Sequence, residues 1–181
     1  MASTGVIGKQ LPMDKIKAGI KELPAGLGAD AEHGTLAAEA IMTTDTKSKQ
    51  AAVSFDIDGT AVTVGGMCKG SGMIHPNMCT MLCFITTDCA ISRELLQKAL
   101  KAAIEDTFNM ISVDGDTSTN DTVLLLANGL AGNREIKEED GNYRKFYEAL
   151  YYICEELSKI CLLYTSPSPR DQRGSRMPSS A

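Results

Sequence analysis

The sequence predicts a mixed α/β fold, and three observations carry that prediction. Apolar residues alternate at Val53, Phe55 and Ile57 and again at Val62 and Val64 with Asp58-Gly59 between them, the pattern of a β-hairpin closed by a tight turn. Met81 to Ile85 is a short apolar run rich in strand formers, as expected of a strand buried on both faces. Leu95, Leu96, Ala99, Leu100, Ala103, Ile104 and Phe108 then recur at helical spacing, and Tyr143, Phe146, Leu150, Ile153 and Leu157 do so again. Strands and amphipathic helices therefore alternate along the chain.

Taken in order, Ser3 to Gly8 reads as a strand end and a turn. Leu11-Pro12-Met13 leads into a helix with Ile16, Ile20 and Leu23 on one face, and Pro12 suits its first turn. Gly8-Lys9 is not a phosphate loop, because the spacing from Gly5 to Gly8 is too short and no Ser or Thr follows Lys9. Ala29 to Met42 is an Ala-rich helical stretch, with Leu36, Ala40 and Ile41 expected inside and Gly34 its weak point. Thr43-Thr44-Asp45-Thr46 caps the helix end or starts a strand, and Lys47 and Lys49 follow in a polar loop. Phe55 to Thr60 fits the DxDGT signature of haloacid-dehalogenase-type phosphatases, whose first aspartate accepts the phosphoryl group. The alternation on both sides argues for a hairpin instead, since the second strand runs straight into a glycine-rich stretch.

In that stretch Gly65, Gly66, Gly70 and Gly72 suit a loop that wraps a small ligand or holds strained backbone. The loop delivers Lys69 and then Thr80, which follows the small residue Cys79 and opens the apolar run. A hydroxyl at the start of a buried strand is well placed to be a nucleophile, although a lone threonine there is ordinarily just a β-former. Thr86 to Ala90 turns the chain, and Ser92 caps the long helix that follows. Ile111 to Val113 is a short strand candidate, and Asp114 to Asp121 is a turn-rich loop. It is not an EF-hand, because the twelfth place that needs a carboxylate is Leu125. Thr122 to Ala127 reads as a buried strand, residues 133–142 as a charged surface connection, and the last helix runs to about Lys159 with Tyr147, Tyr151 and Tyr152 on its flanks. Cys161 to Ala181 is Ser/Pro/Arg-rich and without periodicity, so it is expected to be disordered. It looks like a translated transposase-type sequencing adapter and is set aside from the fold.

A chain of 181 residues that is 43% hydrophobic can bury a core, as one soluble globular domain or a piece of a larger one. No apolar run approaches the roughly 20 residues that span a bilayer, and no signal peptide follows Met1, which points to the cytoplasm. The net charge of −5 argues against a nucleic-acid partner and leaves small metabolites as the natural ones. The six cysteines form no CxxC pair and read as reduced thiols. His33 and His75 have no ligand-like spacing to each other or to a cysteine, so no metal is expected.

The string from Lys69 to Asp88 resembles the KGxGM(I)xPxxATMLxFxTTD segment of the ornithine acetyltransferase family, which includes the bifunctional glutamate N-acetyltransferases of arginine biosynthesis. Ser3 to Met13 is similar to the family's STGVIGxxLPM element, Met42 to Thr46 to its MTTDT, and Gly115 to Asp121 to its GDTSTND, read as mainly structural. The resemblance covers about Ser3 to Ile160. It implies a layered αββα sandwich of the kind shared with self-processing aminopeptidases, here incomplete. Residues 1–79 would be the C-terminal part of an α chain, 80–160 the N-terminal part of an autoprocessed β chain, and 161–181 a non-native tail. It further implies self-cleavage between Cys79 and Thr80, with Cys79 departing from the family's usual Ala. Thr80 would be the nucleophile and Thr4 with Gly5 the oxyanion hole. Thr43 first, Thr44 second, Lys69 and Thr80 itself would contact substrate. The implied reaction moves acetyl from N-acetylornithine to glutamate through an acetyl-threonine. It needs no cofactor, has acetyl-coenzyme A as an alternative acetyl donor, and belongs to an assembly of two α and two β chains (α2β2). The family's DGEGATK segment, whose glutamate binds substrate, does not follow Lys159 here. Two other readings stand beside this one: a self-processing aminopeptidase with an N-terminal nucleophile, and a truncated, inactive fragment.

Overall fold

The computed structural model describes residues 8–70, 81–110 and 121–163. They contain helices α1 (Met13–Glu22), α2 (Ala31–Ala40), α3 (Arg93–Glu105) and α4 (Gly141–Leu163), and strands β1 (Lys49–Ile57), β2 (Thr60–Lys69), β3 (Leu82–Thr87) and β4 (Thr122–Ala127). The strands form one sheet in the order β1-β2-β3-β4, so the expected α/β mixture is observed. β1 and β2 are the predicted antiparallel hairpin, and its turn uses Asp58 at φ 52° and Gly59 at φ 83°, the left-handed pair that a two-residue turn with the right twist requires. Asp56 Oδ1 accepts the Gly59 N–H at 3.0 Å, which makes the DxDGT string turn chemistry. β2 continues antiparallel to β3, and β3 is parallel to β4. A parallel pair needs a crossover, and α3 supplies it. Ser92 caps that helix as predicted, its Oγ accepting the Leu95 N–H at 3.4 Å.

The core lies on one face of the sheet. Val62, Val64 and Cys68 of β2 and Cys83 and Ile85 of β3 point inward to Leu95, Ala99 and Ala103 of α3 and to Phe146, Leu150, Ile153 and Leu157 of α4. Among the described residues one sheet is thus covered on this face by α3 and α4, as in half of a layered sandwich. The opposite face carries an apolar row: Met67, Phe84 and Leu124 stand side by side across three strands, and Leu126 is 60% exposed.

Several expectations change. Gly65 and Gly66 lie inside β2 rather than in a loop. A Cβ on Gly66 would come within 3.0 Å of Leu157, 3.2 Å of Ile85 and 3.3 Å of Ile153, so this glycine serves close sheet–helix packing. In α2, Leu36 and Ala40 are exposed and Ala38 is buried instead. Leu36 lies two residues, about 200° of helical turn, from the face that Ala38 rests on the hairpin. The apolar face of α1 is uncovered, with Ile20 among its exposed residues. β4 is half exposed rather than buried. α4 continues through Leu163, three residues into the stretch set aside, and buries Cys161 with its Sγ 3.2 Å from that of Cys68. The strand candidate at Ile111 to Val113, most of the loop before Asp121 and the rest of the tail lie outside the described residues. Among the described residues no helix is long and apolar enough to cross a membrane.

Candidate functional site

The candidate site gathers where β2 ends and β3 begins. Lys69, the last residue of β2, pairs with Leu82, the first of β3, and the chain between them carries Cys79-Thr80. The near end of β3 is tied to the neighbouring strand. Met81 donates its N–H to Asp121 Oδ1 at 2.9 Å, and its carbonyl accepts the Thr122 N–H at 3.0 Å. Thr4, Gly5, Cys79 and Thr80 lie outside the described residues, while Thr43, Thr44 and Lys69 lie within them.

Lys69 is only 4% exposed. Burial lowers its pKa below the usual lysine range, with the charges of Asp45 and Asp121 pulling the other way. An ammonium stripped of water gains more from an arriving anion than a hydrated one does, which suits Lys69 to hold a carboxylate. Thr43 and Thr44 are exposed at the turn before β1, and Asp45 after them is buried. Its Oδ2 accepts the Thr43 N–H at 3.3 Å, and its Oδ1 accepts the Gly70 N–H at 2.8 Å and the Lys49 Nζ at 2.5 Å. The structure thus brings the Thr43 turn and the Lys69-Gly70 strand end together through Asp45. An open hollow of about 560 Å³, lined by Glu39, Met42, Thr46, Lys47 and Ser48, adjoins this turn.

Asp45, Lys49 and Asp121 were not singled out by the sequence. A signal existed for Lys49, which has the same strand parity as the inward residues Ala51, Val53, Phe55 and Ile57. It is 1% exposed, buried at the start of β1 rather than solvated in a polar loop. Cys89 and Cys154 offer no competing nucleophile. Burial pushes Cys89 up to about 11 and Cys154 up to about 12, so both are protonated and unreactive near neutrality. Among the described residues no group of three or more His, Cys, Asp or Glu side chains is arranged to hold a metal ion.

Comparison with known proteins places these residues in one lineage. The ArgJ family model matches residues 1–162. The chain is 57% identical over 159 residues to the arginine biosynthesis bifunctional protein ArgJ of Symbiobacterium thermophilum, covering 88% of this chain and 39% of the relative. It is 56% identical over 160 residues to the protein of the same name from Geobacillus stearothermophilus, covering 88% of this chain and 38% of that one. Among solved structures it is similar to the arginine biosynthesis bifunctional protein ArgJ of Bacillus halodurans, at 50% identity and a TM-score of 0.41 over 42% of this chain and 36% of that one. The chain therefore spans 38–39% of the length of these two curated relatives.

Proposed function

The chain belongs to the ArgJ family, and from that premise we propose that it is part of an arginine-biosynthesis acetyltransferase that moves acetyl from N-acetylornithine to glutamate through Thr80. One observation carries this reading. The family match runs unbroken over residues 1–162 and so takes in Thr4-Gly5, Thr43-Thr44, Lys69 and Cys79-Thr80 together.

In this scheme the Thr80 hydroxyl attacks the Cys79 carbonyl carbon, and the acyl group shifts from nitrogen to oxygen. Water then hydrolyses the ester, leaving a carboxylate on Cys79 and a free amine on Thr80. Cys79 is small enough to stand in for the family's alanine at this bond. An α-amino group titrates near 8, so it can take the proton of its own hydroxyl near neutrality, where an internal threonine has no such base. Thr80 Oγ next attacks the acetyl carbonyl of N-acetylornithine, and ornithine leaves as the protonated amine. The glutamate amine attacks the acetyl-threonine ester, takes the acetyl and releases Thr80. Each attack builds negative charge on the carbonyl oxygen, and Thr4 and Gly5 are the donors for it, each worth about 3–4 kcal/mol in the transition state. Lys69 pairs with a substrate carboxylate, beside Thr43 and then Thr44. The scheme calls for no cofactor, and acetyl-coenzyme A is the alternative acetyl donor. The processed enzyme assembles as two α and two β chains and works in the cytoplasm.

The test is Thr80→Ala in the full-length protein. The parent is expected to be cut into two chains and to exchange acetyl between ornithine and glutamate, while the variant remains one chain and is inactive. Efficient cleavage of the variant would remove Thr80 from its role. Release of amino acids from small peptides, in place of glutamate-dependent uptake of acetyl, would assign the parent to the self-processing aminopeptidases.

A further inference from the structure

One buried ion pair holds three backbone groups from the two segments assigned above to substrate. Lys49 Nζ donates to Asp45 Oδ1 at 2.5 Å and to the Gly70 carbonyl at 2.5 Å, while Asp45 accepts the N–H groups of Gly70 and Thr43. Both backbone polar groups of Gly70 are therefore gripped by the same pair, and Gly70 directly follows Lys69. The two side chains are 0% and 1% exposed. Such a pair adds little net stability, because desolvation of the two charges offsets their attraction, and well-packed apolar residues often replace it without loss. What it adds is direction. Charges in a dry site demand partners at set positions, whereas apolar side chains tolerate sliding.

We infer that Asp45 and Lys49 are positioning residues for the acetyl transfer proposed above, fixing Lys69-Gly70 against Thr43-Thr44 so that a substrate carboxylate meets both at one distance. Neither residue touches substrate in this role. Lys49 enters from the inward face of β1 opposite Cys68, and Lys69 leaves β2 with the opposite parity, so the pair sits behind the strand end whose front it sets. The inference rests on the acetyltransferase reading for what is positioned, and on the hydrogen bonds alone for how.

The experiment compares the full-length parent with Asp45→Leu/Lys49→Met, which substitutes an apolar pair, and with Asp45→Asn, which keeps the carboxylate's shape and one acceptor. The double variant is expected to raise KM for glutamate about tenfold or more with kcat changed less than about threefold, and Asp45→Asn to raise KM by less, since misplaced binding groups weaken ground-state and transition-state contacts alike. A purely structural role would lower the amount of active enzyme, and so the apparent kcat, at unchanged KM; that result overturns the inference. Should the double variant fail to fold, Asp45→Asn decides by the same two numbers. Should the parent itself show no acetyl exchange, the acetyltransferase reading fails on its own, and hydrogen exchange at the Gly70 amide then reads the clamp directly. Faster exchange in the variants supports the clamp, and unchanged exchange overturns it.

Discussion

Lys49 and Asp45 exchange water for each other and for the backbone, and that exchange has a pH signature. Burial pushes the Asp45 carboxyl up, but the Lys49 hydrogen bond, the Gly70 N–H, the Lys49 charge and the Thr43 N–H together outweigh it and hold the carboxyl below its usual range. Lys69 and the Cys161 thiol also feel its charge. A carboxyl depressed in the folded state stabilises at pH above its unfolded value and loses that contribution as pH falls through the folded one. The difference in melting temperature between the parent and Asp45→Asn is therefore expected to hold from neutrality down to about pH 4, the unfolded value, and to close below it. A difference that stays constant through the acid range would mean that Asp45 is not ionised in the fold. Half of this pair was legible in the sequence. The inward parity of Lys49 could be read from the alternation of β1, but Gly70 stands 21 residues from Lys49 and 25 from Asp45, and no local pattern announces a contact at that separation.

Gly66 decides how closely β2 and α4 approach. Ala at a strand glycine ordinarily gains about 0.5–1 kcal/mol through the smaller entropy loss on folding. Here the new methyl would meet Leu157, Ile85 and Ile153 within 3.3 Å, and all three are fully buried with no room to retreat. Overpacking of that kind costs about 1–3 kcal/mol, which outweighs the gain at mid-range, so Gly66→Ala is expected to lower stability by about 1 kcal/mol. Gly65→Ala is the control, because its Cβ would meet Ala52 Cβ at 3.6 Å and Ala51 O at 3.8 Å, ordinary contact distances. Urea midpoints of the two variants check this, and equal effects would show that the sheet–helix spacing is not set by Gly66. The elements themselves were largely legible: the β1–β2 turn, the Ser92 cap and the α4 stripe each rest on neighbours within one or two turns of chain, where local chemistry decides. The glycines misled because Gly65-Gly66 and Gly70-Gly72 look alike in sequence, while pairing with β1 and β3 makes the first pair part of a strand and the packing of α4, about ninety residues later, calls for the glycine at 66.

The β4 run from Thr122 to Ala127 reads as a buried strand, yet Leu124 is 44% exposed and Leu126 60%. The pattern is that of a strand covered on both faces, and the described residues cover only one of them. Met67, Phe84 and Leu124 form an apolar row across the outer face, and a sheet of this kind is stable in water with one face covered but gains from burying the other. Some three fifths of the relatives' length lies beyond this chain, and the layered sandwich that the family resemblance implies would set a second sheet against this row. The pair Leu124→Lys and Leu126→Glu separates the two situations. In the 181-residue chain Leu124 and Leu126 are exposed, so the substitutions are expected to raise solubility with stability changed by less than about 0.5 kcal/mol. In the full-length protein they would place charges between packed sheets, at an expected loss above about 3 kcal/mol or a failure to assemble. Thermal melts of both chains read this out. A full-length variant that melts with its parent would leave the outer face in solvent and withdraw the second sheet from this position.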